Sequence, residues 1–227
     1  GVALTGVAVG GFVVATAAAV KATVAYAGYE QQLRNSMTVM GEFGTKLKEN
    51  EKQFDALAKQ IALTSTVGQK QAAGMFYQIG SAGFTGAQTA QIAGPAAMLH
   101  MAVNPAAEDM TKETELLTST LKTFNLRADQ AARVVDMFTA AIARSPLNVE
   151  RLTAAMPYAS SMAAGLGLPV ENVLALLAAT SQAGIVGTMG GTAMRGMIAR
   201  QETQPSTVER VLRRNRMDPN AIRPSVV

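Results

Sequence analysis

The chain has 227 residues and a formal net charge of +4, with 48% apolar but only 5% aromatic residues. Ala, Leu and 13 Met supply the bulk, which favours helices, and no stretch shows the period-two alternation of a strand. Because Cys is absent, disulfides, thiolate catalysis and Cys-based zinc sites are excluded. Any His-based metal site or Ser-His triad would depend on His100, the single His of the chain.

The first segment, residues 1–28, predicts an apolar helix with the length to span a membrane. No residue from Val2 to Val20 is charged. These residues would extend about 28 Å as a helix, close to the ~30 Å hydrocarbon core. The spacing of Gly6 and Gly10 is one that lets membrane helices approach closely. The residues expected to form the membrane segment are Val2, Gly6, Gly10, Phe12, Val13, Val14 and Val20. A buried Ala-rich helix in an oligomeric bundle is the alternative.

The second segment, residues 29–66, predicts one long amphipathic helix over 29–64. Its apolar seam alternates spacings of four and three, at positions 33, 37, 40, 44, 47, 51, 54, 58 and 61. Gly44 and Glu51 interrupt the seam, and Gly41 and Gly44 are expected to weaken or bend the helix. Such a seam is compatible with a homo-oligomer, for which a trimer is preferred, or with packing inside one chain.

The third segment, residues 67–200, predicts a compact domain of shorter helices arranged as helix-turn-helix units. Gly, Pro and Asn separate its apolar stretches, and “SAGFTG” at 81–86 is echoed 101 residues later by “QAGIVG” at 182–187. The echo predicts two helix pairs, each joined by a tight glycine turn, with the last helix beginning near Thr192. The glycines expected to serve as hinges or packing positions are Gly83, Gly86, Gly184, Gly187, Gly190 and Gly191.

The last segment, residues 201–227, predicts a basic, Pro-containing connector to the remainder of a longer polypeptide. Arginines outnumber acids here, and prolines at 205, 219 and 224 favour an extended chain. The predicted fold class is therefore all-α. It comprises an apolar N-terminal helix, a long heptad-like helix and a compact multi-helix domain. The helices after the two glycine turns carry too few polar and basic residues to read DNA bases, so no sequence-specific nucleic acid is expected.

The stretch “SQAGIVGTMGGTAMRGM” from 181 to 197 raises the question of a phosphate-binding loop. A Walker-type loop needs a Lys immediately before its Ser or Thr, but Thr192 follows two glycines. A dinucleotide loop needs a preceding strand, whereas the residues before 181 predict a helix. The stretch is therefore interpreted as a break between helices.

Other chemistry-bearing residues also predict structural roles. The acids Glu108, Asp109, Glu113 and Glu115 lie at a predicted helix start, where they are interpreted as surface charge that favours the helix dipole. His100 has no second ligand three or four residues away and is expected at a helix surface or partly buried. The residues predict no enzyme, no catalytic site, no cofactor and no metal site.

Four stretches carry a family resemblance through their order and spacing. They are “AYAGYEQQLRNSMTVMG”, “IALTSTVGQKQAAGMFYQIGSAGFTGAQTA”, “LKTFNLRADQAARVVDMFTAAIARSPLNVERLTAAMPYAS” and “LGLPVENVLALLAATSQAGIVGTMGGTAMRGMIAR”. Over about residues 26–200 the sequence resembles the conserved core of phage tail tape measure proteins. The resemblance implies a structural virion protein rather than a catalyst.

What the family does supplies the functional expectations. Tape measure proteins are long, largely helical chains that fill the tail tube and set its length during assembly. They leave the tube before the DNA and help the genome cross the host envelope. The resemblance implies tail tube and tail tip proteins as partners. It places the protein in the tail tube lumen, and at the host membrane on ejection. The alternative is a pore-forming or holin-like membrane protein of phage origin, in which residues 1–28 alone would permeabilise bilayers.

Overall fold

The computed structural model describes residues 24–41, 45–107, 109–203 and 205–218. Over these ranges the chain contains helices, turns and no strand, so the all-α prediction is confirmed. The residues expected to form a membrane segment, from Val2 to Val20, lie outside the described ranges.

Ten α-helices follow one another in the described ranges. They are α1 (24–39), α2 (Thr45–Thr64), α3 (Gln69–Ser81), α4 (Gly86–Val103), α5 (Thr111–Thr123), α6 (Ala131–Arg144), α7 (Val149–Gly165), α8 (Val170–Gln182), α9 (Gly187–Thr203) and α10 (Pro205–Arg214). A short 3₁₀ helix, Ala128–Gln130, leads into α6. Taken one by one, the helices of the described ranges are too short or too polar to cross a bilayer. The pair α8 and α9 meets the length and composition criteria together, although it is bent by 120°.

The helices form a two-layer array in which each helix packs on the second one along the chain. One layer contains α3, α5, α7 and α9, and the other contains α2, α4, α6 and α8. Helix α1 joins the first layer, because the hydroxyl of Ser36 donates to the carbonyl oxygen of Ala73 in α3 at 2.7 Å. Helix α10 packs on α9. Stacking hairpins in this way buries a continuous core between the two layers, as in helical repeat proteins.

Three helix pairs repeat with a period of 42 residues: α3–α4, α5–α6 and α7–α8. Buried positions coincide at this offset, at 72/114/156, 75/117/159, 76/118/160, 79/121/163, 89/131/173, 92/134/176, 93/135/177 and 96/138/180. The repeat preserves burial but not residue type, as Phe76, Thr118 and Ser160 illustrate. Equivalent buried positions thus hold side chains of different size in the three units.

The same turn closes the first helix of each pair. Its second residue has a left-handed φ, which is +83° at Gly83, +50° at Asn125 and +71° at Gly167. The next residue is apolar, and its N–H bonds to the carbonyl five residues earlier. The three bonds are Phe84 to Ile79 at 3.4 Å, Leu126 to Leu121 at 2.8 Å and Leu168 to Ala163 at 2.9 Å. This Schellman-type turn satisfies helix-end carbonyls and directs the chain into the other layer.

The single long helix predicted over 29–64 is wrong, because the structure has two antiparallel helices there. The Tyr29 hydroxyl donates to Asp55 at 2.8 Å, and Arg34 lies 3.7 Å from Glu51, so α1 runs back along α2. The chain leaves α1 at Gly41, whose φ of +77° ends a helix. Seam residues that are buried in this chain's own core are Leu33, Met37, Phe54, Ala58 and Ile61. Of the alternatives for the seam, the structure therefore has packing inside one chain.

Two further boundaries differ from the sequence predictions. Helix α9 begins at Gly187 rather than near Thr192, so Gly190 and Gly191 are helical. Residues 205–214 of the expected extended connector form α10, which buries Leu212 and carries a Glu209–Arg213 ion pair one turn apart at 2.7 Å. The proline at 205 starts this helix, a position where its missing N–H costs nothing.

Candidate functional site

Gly191 lies where α9 packs closely against α7. A Cβ added at Gly191 would lie 2.3 Å from the carbonyl oxygen of Ala155 in α7, and one at Gly190 would lie 3.1 Å from that of Ile185. Contacts at 2.3 Å do not occur between real Cβ atoms and backbone, so only glycine fits at 191 without moving α7 or α9. The same added Cβ would also lie 3.0 Å from the Cβ of Tyr158.

The remaining candidate glycines lie at the two turns of the sequence echo. Gly83 and Gly184 have φ of +83° and +79°, and Gly187 has φ of +59°, a region that side chains disfavour. Gly86 is the buried first residue of α4. Both turns have the geometry expected from the echo, but they are not equivalent in the array. The turn at 83 leads from the first layer to the second, and the turn at 184 leads back. A hinge function for these glycines stays a prediction.

A histidine and a glutamate form a buried pair between α4 and α5. His100 and Glu113 are 3% and 2% exposed, and the Nδ1 of His100 lies 3.5 Å from a carboxylate oxygen of Glu113. The interpretation of Glu113 as surface charge is therefore wrong, and His100 is more deeply buried than expected. Glu113 follows a buried Met110 at the start of α5, and this face of the helix turns inward, towards α4.

The proton on His100 can be placed from its other contact. Its Nε2 lies 3.1 Å from the carbonyl oxygen of Ala107, which can only accept, so Nε2 carries a hydrogen. Nδ1 then faces the Glu113 carboxylate, with no hydrogen bond between them. The hydrogen bond from Nε2 to Ala107 fastens the loop between α4 and α5 to the core. Asp109, which precedes the N-cap Met110 of α5, accepts hydrogen bonds from the hydroxyl and the backbone N–H of Thr111, and these bonds hold the Asp109 pKa below its usual range.

A cavity of about 650 Å³ lies between the second and third turns of the array. Its walls include Phe124, Leu126 and Ala164, and the exposed ion pair of Arg133 and Glu171 lies at its rim. The sequence patterns predict no site at these positions. No local sequence signal marks the cavity, because it forms between two turns that lie 42 residues apart in the chain.

Comparisons with known proteins point to phage tails. The model of a family described as phage-related minor tail protein matches residues 56–214. Over 92 residues, 40% of this chain, the sequence is 34% identical to a tape measure protein of Pneumococcus phage Dp-1, of which it covers 8%. Over 91 residues, again 40% of the chain, it is 27% identical to a probable tape measure protein of Escherichia phage P2, of which it covers 11%. No solved structure matches the chain.

Proposed function

The chain belongs to the phage-related minor tail protein family, and on that premise we propose that it is a segment of a tape measure. The proposed protein sets tail length, occupies the tail tube lumen and is released to help the genome cross the host envelope. The family match over more than half of the chain carries the proposal, and the two relatives named as tape measure proteins support it. The chain spans only about a tenth of the length of these relatives. The activity of the whole protein is therefore something that we propose for this chain.

We also propose a structural rather than a catalytic role. Tail proteins act by assembly, and the most constrained contacts described above, at Gly191 and in the repeated turns, serve helix packing. The holin-like alternative is not favoured, because the matched family and both named relatives are tail proteins.

The folded array suggests two states of the chain. An α-helix rises 1.5 Å per residue, whereas a stacked helix pair adds only about 10 Å along the array for its 42 residues. The same residues span a greater length as one extended helix than as a stacked array. We therefore propose that this segment is an extended helix in the tube and forms the array after release. Only in the extended state would the apolar seam of α1 and α2 pack against other copies of the chain, as in the preferred trimer.

The ruler proposal is tested by changing the length of this segment in the phage. Residues 111–152, one full period, are deleted from the encoding gene, and tails are measured by electron microscopy. Shorter tails are expected. The matched control replaces the same residues with an unrelated helical sequence of equal length, which should preserve tail length. Unchanged tails in the deletion would contradict the proposal.

The membrane part of the proposal concerns residues 1–28. Flotation with liposomes of the 227-residue chain, and of a chain starting at residue 29, measures membrane association. We expect the full chain to float and the shortened chain to stay with the soluble fraction. Equal behaviour of the two would remove residues 1–28 from any role at the host membrane.

A further inference from the structure

A second cavity, of about 460 Å³, lies beside the loop between α4 and α5. Its walls come from the loop residues Asn104, Ala107 and Asp109, from the ends of α4 and α6, and from the first turns of α5 and α7. We refer to it as the acidic cavity, because the carboxylates of Asp109, Glu113 and Glu150 line it. It shares no lining residue with the cavity described above.

The lining side chains give the acidic cavity an excess of negative charge. Lys112 is the one cation among the described residues that line it, and its Nζ donates to Glu150 at 2.9 Å. This hydrogen bond raises the Lys112 pKa, and the charges of Glu113 and Asp109 add to the effect. Two N-terminal and two C-terminal helix ends meet here, so their dipoles oppose one another. The side chains therefore decide the sign of the charge, with one positive group facing three negative ones.

Glu113 is the buried carboxylate of this cavity, and it has no hydrogen-bond donor in the described part of the chain. The Nδ1 of His100, 3.5 Å away, has no hydrogen bond either. Because Nε2 of the same ring donates to Ala107, Nδ1 is an acceptor. Two buried acceptors thus lie side by side without a donor, which costs stability. A ligand that brings N–H donors and a positive charge would remove this cost.

The positions of the carboxylates favour a flexible chain with an ammonium group at each end. Glu113 is buried, whereas Asp109 and Glu150 are exposed at the rim of the cavity. Among the described residues the carboxylates do not form a group that could hold a metal ion. An ammonium brings three N–H donors, and two such groups balance the negative charge that Lys112 leaves over. Apolar side chains for the alkyl chain to contact are those of Val103, Ile142 and Val149.

We propose that the acidic cavity binds an aliphatic diamine in its doubly protonated form. One ammonium donates to Glu113 and His100, and the other lies at the rim beside Asp109 and Glu150. The bound diamine joins the α4–α5 loop to the first turn of α7 and so ties neighbouring helix pairs together. This binding goes beyond the tape measure function and is measured without reference to tail length, so either proposal can fail while the other holds.

The binding test uses diaminobutane as the probe, titrated into the 227-residue chain in a calorimeter. We expect saturable binding of one diamine per chain. Butylamine, with a single ammonium, should bind more weakly, and the neutral butanediol should not bind. Magnesium chloride should give no saturable signal. Absence of diaminobutane binding, equal binding of butanediol, or tighter binding of magnesium would overturn the proposal.

Three variants locate the site. Glu113→Gln keeps the size of the side chain without its charge and should weaken diaminobutane binding about tenfold. The matched control Glu115→Gln, on the exposed face of the same helix, should leave the affinity unchanged. Glu150→Gln alters an exposed side chain and should reduce the preference for diaminobutane over butylamine. Unchanged affinity in a folded Glu113→Gln variant would contradict the proposal. So would a full preference for the diamine in Glu150→Gln, which decides the question even if Glu113→Gln does not fold.

Discussion

Individual residues of this chain stabilise the fold mainly through close packing and through polar contacts between helices. Gly191 leaves room for the Ala155 carbonyl, His100 and Glu113 meet in the core between two helices, and Tyr29 joins α1 to α2. Variants of Gly191 and Glu113 test the packing most directly, because another glycine and another glutamate on the same helices serve as controls.

Replacing Gly191 with Ala should destabilise the protein, because the new methyl group overlaps the Ala155 carbonyl. The expected loss is about 1–3 kcal/mol in the free energy of unfolding, measured by urea denaturation. Gly196→Ala, on the same helix, is the control, since a Cβ at this position would have no neighbour within 4 Å. That variant should gain about 0.5–1 kcal/mol from helix propensity. Equal effects at the two positions would refute the close-packing role of Gly191.

Truncating Glu113 to Ala should cost about 1–3 kcal/mol, because it leaves a buried polar nitrogen of His100 facing a gap between α4 and α5. Glu115→Ala, two residues along on the exposed face of α5, should change stability by less than about 0.5 kcal/mol. Chemical denaturation of both variants measures the difference. An effect of Glu113→Ala as small as that of Glu115→Ala would show that the buried pair contributes little to the packing of α4 on α5.

The contact between Tyr29 and Asp55 should make stability depend on pH. Burial, with the hydrogen bond to Asp55, raises the Tyr29 pKa above its ordinary value near 10. The folded state therefore favours the neutral phenol, and this stabilisation is present below pH 10 and is lost as pH rises further. Tyr29→Phe should remove that alkaline loss, so the stability gap between the two proteins should narrow above pH 10 in urea titrations. A gap that stays constant would contradict the assignment.

The acid side of the same contact has the opposite sign. Hydrogen bonds from Lys59 and then from Tyr29 lower the Asp55 pKa, so they stabilise the fold above the unfolded pKa, and this stabilisation is lost as pH falls. Tyr29→Phe should weaken this effect only in part, because Lys59 still holds the carboxylate at 2.6 Å.

Helices and turns repeat more regularly than the sequence letters suggest. Composition and apolar spacing correctly predicted an all-α chain and the two glycine turns, because helix formers and left-handed glycines act locally. The 42-residue period was not predictable in this way, since Phe76, Thr118 and Ser160 fill equivalent buried positions. The helix over 29–64 was predicted as one, because its seam continues through Gly41 and local pattern alone does not show that the chain reverses there.

The repeated turn can be tested at its left-handed position. Gly167→Ala should cost about 1–2 kcal/mol, because φ of +71° brings a side chain too close to its own backbone. Gly165→Ala, two residues earlier, is the control, since it has no left-handed φ and open space for a Cβ. Thermal unfolding of the two variants should separate them by several degrees. Indistinguishable melting temperatures would contradict a conformational demand at 167.

In the described ranges the chain forms an array of stacked helix pairs, and it belongs to a family of phage tail proteins. Each unit contacts its neighbours across the core between the two layers. Deleting one unit therefore shortens the array, and the remaining units still pack on one another. The sequence indicated the family through the order of four stretches, whereas the array emerges only from long-range contacts. In the extended state that we propose, each unit would add to the length of the tape measure in proportion to its number of residues.

The most direct test of the tape measure proposal is the slope of tail length against residues removed. Deletions of one period (111–152) and of two periods (69–152) are introduced into the phage, and tails are measured by electron microscopy. An extended helix in the tube predicts shortening of about 63 Å and about 126 Å, which is 1.5 Å per residue. Tails of unchanged length would contradict the ruler, and shortening of only about 10 Å per period would show that the segment stays folded in the tail.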